Sequence, residues 1–521
     1  MVGKLAKAKT AKPKPAAKKA AKNAATGAAK PAAKRPVLRR SLAASPGGPT
    51  VTVVNIIPRS LSGETNQDSE PNIAVNPQNP DQIVATAFTP DPAGGNLAPL
   101  FVSVDGGRTW TLNSIVPSSM PNREAITGDI SVAFSPASNA FYAGILRFPA
   151  PQDDTRLSIL RATDVSSSNE MEVLSDRIGV DQPFVIGGVS NIGGKDRVYV
   201  GDNDLAVKAP VTTSTIDVCL DALKAETTFK SLRVDSVAGT GQNGPQIRPA
   251  CHSDGSVYVA FYRWLARSGS WQWNTLTITA DVVVVRDDNG ASGATPFTDL
   301  KDTNGSSGRR VAAGVQFPFN STGAGQPGQQ RRGGDIAIAV DPTNSSVLYL
   351  AWAAVEPATG YTLHLRRSDD RGVTWSSNDL RTIQEAINPA LAVNSAGQVG
   401  FLYQQLTGDG ASQRWVTHFR QSQDATFGNW SDIILASVPA NAPPVNGPGG
   451  FDPYIGDYVG MVSVGANYYG VFSANNTPDP ANFPNNVTFQ RNHDFPTRKL
   501  LDLRGKEVAV SIDPFFFSIT P

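Results

Sequence analysis

Seven side chains set the chemical question. Glu70, Asp129, Asp181, Arg248, Asp335, Asn388 and Asp457 each stand at the head of a short apolar run, in "EPNIAV", "GDISVAF", "DQPFVIG", "RPACH", "GDIAIAV", "NPALAV" and "GDYVGMV". Five of the seven are acids. Carboxylates brought together in one place have three uses. They can accept backbone N–H groups where strands begin. They can hold a hard cation such as Ca2+, with Asp457 and Asp335 as the candidate ligands. Crowded carboxylates also raise one another's pKa, which supplies an acid and a base in one cleft. Glycoside hydrolysis needs such a pair and requires no cofactor. Glu70, Asp129, Asp181 and Asp335 are the candidates for that work.

These residues matter only if the chain gathers them. Past residue 50 the helical period nearly disappears, and short runs of Val, Ile, Phe and Tyr alternate with Gly, Pro, Asn and Asp, the pattern of an all-β chain. One phrase recurs seven times: a polar residue, an apolar strand, a turn, a second apolar strand. The copies begin at 70, 128, 181, 247, 334, 388 and 456, about 53–87 residues apart. A four-stranded unit that cannot bury its faces alone, repeated at this spacing, predicts a β-propeller. Seven blades are expected, six being the alternative if one copy is misread. "VTVVNII" at 51–57 precedes the first blade and is placed to complete the last. The Gly-, Ser- and Gln-rich stretch 289–333 reads as a long loop inside the fourth blade. In an up-and-down blade, the start of the innermost strand and the second-to-third loop share one face. The seven polar residues should therefore ring the channel mouth. Trp264, with Trp271 and Trp273, falls on the same side, where rings can stack on sugars or simply pack.

A second repeat sits between third and fourth strands. "SVDGGRTW" and "SDDRGVTW" share Ser103, Asp105, Gly107, Thr109 and Trp110 with Ser368, Asp370, Gly372, Thr374 and Trp375, 265 positions apart. Weaker versions appear at 161–164, 420–430 and 489–495. The aspartate can accept turn N–H groups, the glycine supplies positive φ, and the tryptophan packs between sheets, so the phrase reads as structural.

This Ser-x-Asp-x-Gly-x-Thr-Trp phrase resembles the Asp-box, or bacterial neuraminidase repeat, of the sialidase superfamily, over roughly residues 50–521. The resemblance implies a propeller and a glycan ligand. It also implies three clamp arginines, a tyrosine nucleophile paired with a carboxylate, and an aspartate acid. Arg248 in "QIRPACHSDG" fits one clamp position, and Arg332 (or Arg331) is the next candidate. Tyr458, or Tyr454, fits the nucleophile, with Asp129 or Asp181 as acid. The first copy begins "SEPNIAV" and the sixth "INPALAV", without arginine. The clamp is incomplete, and sialic acid does not follow.

Charge divides the chain. Residues 1–50 hold 13 Lys and Arg and no acid, leaving 33 basic against 45 acidic residues in 51–521. The Lys/Ala/Pro arm has too little apolar material to order itself, so two regions are expected: a disordered tail, 1–50, and the propeller, 51–521. The tail suits nucleic acid or another polyanion, making an interaction scaffold the competing function. No signal peptide and no membrane span are evident, so the compartment defaults to the cytoplasm and the state to a monomer. Cys219 and Cys251 read as small buried hydrophobes.

Overall fold

The computed structural model describes residues 48–89, 98–117, 119–120, 123–149, 155–189, 195–240, 242–270, 275–319, 333–424, 426–443 and 455–521. The 1–47 portion of the expected tail lies outside them, as do Arg331, Arg332, Tyr454, Trp271 and Trp273.

Seven antiparallel sheets follow one another as blades, each numbered here in chain order. Their innermost strands are Ser69–Val75, Arg123–Phe134, Val180–Val189, Arg248–Cys251, Ile336–Asp341, Ala386–Val393 and Gly460–Val464. Blade 5 shows the pattern in full: Ile336–Asp341, Asn344–Glu356, Gly360–Ser368 and Arg381–Gln384 pair in sequence order. The alternative of six blades is excluded. Among the described residues no α-helix forms, and none is long and apolar enough to cross a membrane.

The ring closes as the N-terminal apolar run suggested. Thr50–Asn55 joins blade 7 antiparallel to Ile512–Thr520, with Val53 opposite Phe517. Val54, Ile73, Val471 and Phe516 then share one buried core between blades 7 and 1. Blade 7 also carries a small sheet of Asn492–Asp494, Lys499–Leu501 and Glu507–Val508 between its second and third strands. The stretch 289–333 differs from expectation: it contains the fourth strand of blade 4, Arg309–Pro318. Only Val311 and Phe317 of that outer strand are buried, so its sequence lacks the apolar signal of an inner strand.

The repeated octapeptides form matching turns. Asp105 accepts the Thr109 N–H (2.9 Å) and hydroxyl (2.7 Å), and Asp370 accepts the same groups of Thr374 at 2.8 and 2.6 Å. Ser103 and Ser368 each accept a glycine N–H at 2.9 Å. Trp110 and Trp375 return their indole N–H to the Gly107 and Gly372 carbonyls. Gly107 has φ 86° and lies so near Phe516 of blade 7 that a Cβ would meet the ring at 2.2 Å. Blade 6 repeats the turn with Asp424, and Trp430 donates to the Phe427 carbonyl at 3.0 Å. Phe427 holds φ 59° where the other two turns have glycine. Both cysteines are free thiols.

Candidate functional site at the channel

The innermost strands start irregularly. Glu70, Gln182 and Asn388 take φ of 52°, 49° and 56°, each is followed by proline, and the pairing register slips at each. Proline has no N–H for the ladder, so the chain bulges, and the preceding side chain is freed from the sheet's alternation. Position in the ring therefore follows the residue before proline. In blade 3 that residue is Gln182, not Asp181. Asp181, one step earlier and half-buried, accepts the Gln182 N–H at 3.0 Å. Acid type points to Asp181, whereas the X-Pro shared by blades 1, 3, 4 and 6 points to Gln182.

The ring residues meet across the channel. Gln182 of blade 3 donates to Asp457 of blade 7 at 3.3 Å, and Gln246, leading into blade 4, donates to the Asp457 carbonyl at 2.7 Å. Asn388 of blade 6 donates to the Gly456 carbonyl at 3.1 Å. Gly456, at φ 84°, lies against Glu70, where any Cβ would meet the Glu70 Cγ at 2.2 Å. The segment 455–458 thus touches five other blades, blades 1, 3, 4 and 6 through these contacts and blade 2 through Tyr458. Tyr458 donates its hydroxyl to Asp129 of blade 2 at 3.0 Å, and the Arg248 guanidinium lies 5.5 Å from the Tyr458 ring centre and 4.2 Å from that of Phe184.

Asp335 bridges two blades, accepting the Tyr361 hydroxyl and the Asn388 N–H (2.8 Å). Burial pushes its pKa up to about 6 against those two bonds, with Asp457 adding to the rise. Tyr458 is pushed well above the usual phenol value by burial and by Asp129, Glu70 and Asp457. Burial lowers Arg248 to about 10 despite the attraction of Asp457, Asp129 and Asp335. Glu70, Asp129, Asp335 and Asp457 are all buried.

Trp264 does not face a ligand. It is 2 % exposed, donates its N–H to the Gly244 carbonyl at 2.7 Å, and meets Phe319 edge-on, because its strand position points between sheets. The close group of three acids among the described residues includes neither Asp335 nor Asp457. Glu64, Asp68 and Asp513 bring ligand atoms within 4.8 Å of one another in the segment leading into blade 1 and at the start of Ile512–Thr520. Asp513 pairs with buried Arg491 and also accepts Asn55 and Asn476. Glu64 rises to about 8, first through burial and then through Asp513, while Asp68 is pushed well up by burial and by Glu64. Sequence reading missed this group because Asp513 lies 449 positions from Glu64, on no shared repeat.

The inner strands also enclose a cavity of about 410 Å3. It runs from Arg248 and Tyr458 at one end to Pro77, Pro136 and Pro342 at the first-to-second turns, on the opposite face of the ring.

No family model matches the chain, and no curated protein matches it. Among solved structures, the chain is similar to the GH93 α-L-arabinofuranosidase of Fusarium graminearum in complex with arabinobiose, at 11% identity and TM-score 0.41, covering 89% of this chain and 97% of that one. It is similar to the α-L-arabinanase of Penicillium chrysogenum, also complexed with arabinobiose, at 11% identity, TM-score 0.42 and the same coverages. Sqt1 of Chaetomium thermophilum, bound to the N-terminus of ribosomal protein L10, is similar at 12% identity and TM-score 0.35, over 78% of this chain and 83% of that one. No substrate follows from likeness of this strength.

Proposed function

We propose that the protein hydrolyses a glycosidic bond at the face of the ring where the innermost strands begin. The observation that carries this is the Tyr458–Asp129 hydrogen bond of 3.0 Å in the same buried cluster as Asp335, a carboxyl with a pKa of about 6. A phenol is a nucleophile only when a base takes its proton, and Asp129 is in place to do so. Tyr458 Oη attacks the anomeric carbon as its proton passes to Asp129. Asp335 gives its proton to the leaving oxygen, and the C–O bond to the aglycone breaks. Water then attacks the same carbon, Asp335 takes a proton from it, and Tyr458 leaves and recovers its own from Asp129. Glu70 and Asp457 hold the field negative around the oxocarbenium-like transition state. Asp181, half-buried beside the ring, is a glycan contact in this reading, and Arg332 remains a proposed one. No cofactor is needed, and a Ca2+ ion at Asp335 or Asp457 would compete with the acid role.

A panel of aryl glycosides, pentosides and hexosides included, tests the reading. Turnover should fall by at least 100-fold in Asp335→Asn and in Tyr458→Phe. No turnover of any member, or turnover untouched by both changes, rejects it. The charge split between residues 1–50 and the rest favours a separate role for the tail, docking to nucleic acid or another polyanion.

A further inference from the structure

Arg248 is a buried cation whose Nη2 finds no hydrogen-bonding partner among the described residues. It is 6 % exposed, yet its guanidinium donates to no atom of the described residues and forms no ion pair; its contacts are the faces of Phe184 and Tyr458. A buried guanidinium nitrogen left unmatched, as Nη2 is, is costly, and native proteins rarely leave one so. Arg248 forms one end of the 410 Å3 channel cavity, a volume within the range of small-molecule sites.

The walls fix the rest of the ligand. Phe184, Ile186, Ile338, Val340 and Val462 line the cavity and remain half-exposed to it. Two N–H groups of the inner strands, those of Val132 and Val185, are already taken by Asn72 Oδ1 (3.1 Å) and Ser131 Oγ (2.8 Å). Pro136 and Pro342 at the far rim are exposed, so the cavity is entered from the face opposite the acid cluster. The charge of Arg248 is already opposed through space by Asp457, Asp129 and Asp335; what the guanidinium lacks is an acceptor at bonding distance. An added anion would meet three carboxylates.

From this we infer that the channel binds a small, uncharged, mainly apolar molecule carrying a carbonyl group, whose oxygen accepts from Arg248 while its aliphatic body lies along the strands. The cavity shares Tyr458 with the proposed cleavage site but is entered from the other face, and ligand binding is read by calorimetry without turnover, so either reading can fail alone.

The probes are 2-octanone and octanoate, chains of equal length that differ in head charge, titrated into the full chain by calorimetry. 2-Octanone should bind, and octanoate at least tenfold more weakly. Arg248→Met should weaken 2-octanone at least tenfold, and Ala133→Leu, which thickens the wall at a half-exposed lining position, should do the same with the guanidinium intact. Circular dichroism and melting temperature confirm folding, and Ala133→Leu decides if Arg248→Met does not fold. No heat from either probe at millimolar concentration overturns the site, as does 2-octanone binding that neither substitution changes. Octanoate binding tighter than 2-octanone overturns the uncharged head.

Discussion

In the proposed cleavage, Asp335 has the heaviest chemical load of any single residue. A general acid works only while protonated, so with its pKa near 6 kcat/KM should fall as pH rises through about 6. A pH profile on the best aryl glycoside checks this, and Asp335→Asn should abolish that limb. The Asp-box aspartates should behave differently. Partial burial works against Asp370, yet the Thr374 hydroxyl and N–H hold its pKa below the ordinary value. Asp370→Ala should cost about 1–3 kcal/mol in denaturant unfolding and leave glycoside turnover alone. At this scale the sequence was a fair guide. Asp129, Asp335, Asp457 and Tyr458 were legible because each precedes or opens an apolar run, and the structure brings them together. Trp264 was not, because a tryptophan's spacing reports its strand but not whether its ring meets a neighbouring sheet or solvent.

The element that positions the site is the start of the innermost strand. In blades 1, 3 and 6 a bulge before proline frees one side chain from the sheet's alternation, and that side chain is Glu70, Gln182 or Asn388 on a shared backbone geometry. The segment leading into blade 1 has a further property. Glu64 is ordinarily at 4.5 and stands near 8 when folded. Its folded form binds the proton more tightly than its unfolded form, so its contribution is complete below pH 4.5 and is lost as pH rises to about 8. Stability should decline over that window by on the order of a few kcal/mol, the melting temperature falling with it, and Glu64→Gln should flatten the decline. A melting curve unchanged between wild type and Glu64→Gln from pH 5 to 8 would remove Glu64 as the cause. None of this was visible beforehand. Glu64, Asp68, Arg491 and Asp513 look like ordinary surface charges until ring closure buries them.

On the scale of the whole molecule, closure is the decisive event. Seven sheets in chain order would leave blade 7 one strand short, and Thr50–Asn55 supplies it from the other end of the chain. A chain beginning at Gly48 should melt as the full chain does, whereas one beginning at Pro58 should lose cooperative unfolding, since Val53 and Val54 leave the core. Removing residues 1–47 should abolish salt-dependent DNA binding if the tail docks to phosphate; equal binding by the full chain and the chain beginning at Gly48 would refute that role. Blade number and closure could be read from the sequence because each blade repeats one grammar. The cross-channel bonds could not, because Gln182 to Asp457 spans 275 positions and depends on the ring's diameter.

The nucleophile assigned to Tyr458 can be seen by mass. Wild-type protein is quenched in acid during reaction with the 2-fluoro glycosyl fluoride of its best substrate sugar, digested and sequenced by mass spectrometry. A glycosyl adduct on Tyr458, absent from Tyr458→Phe, is the predicted result. Turnover with the label on another residue, or with no covalent species at any time, would contradict it.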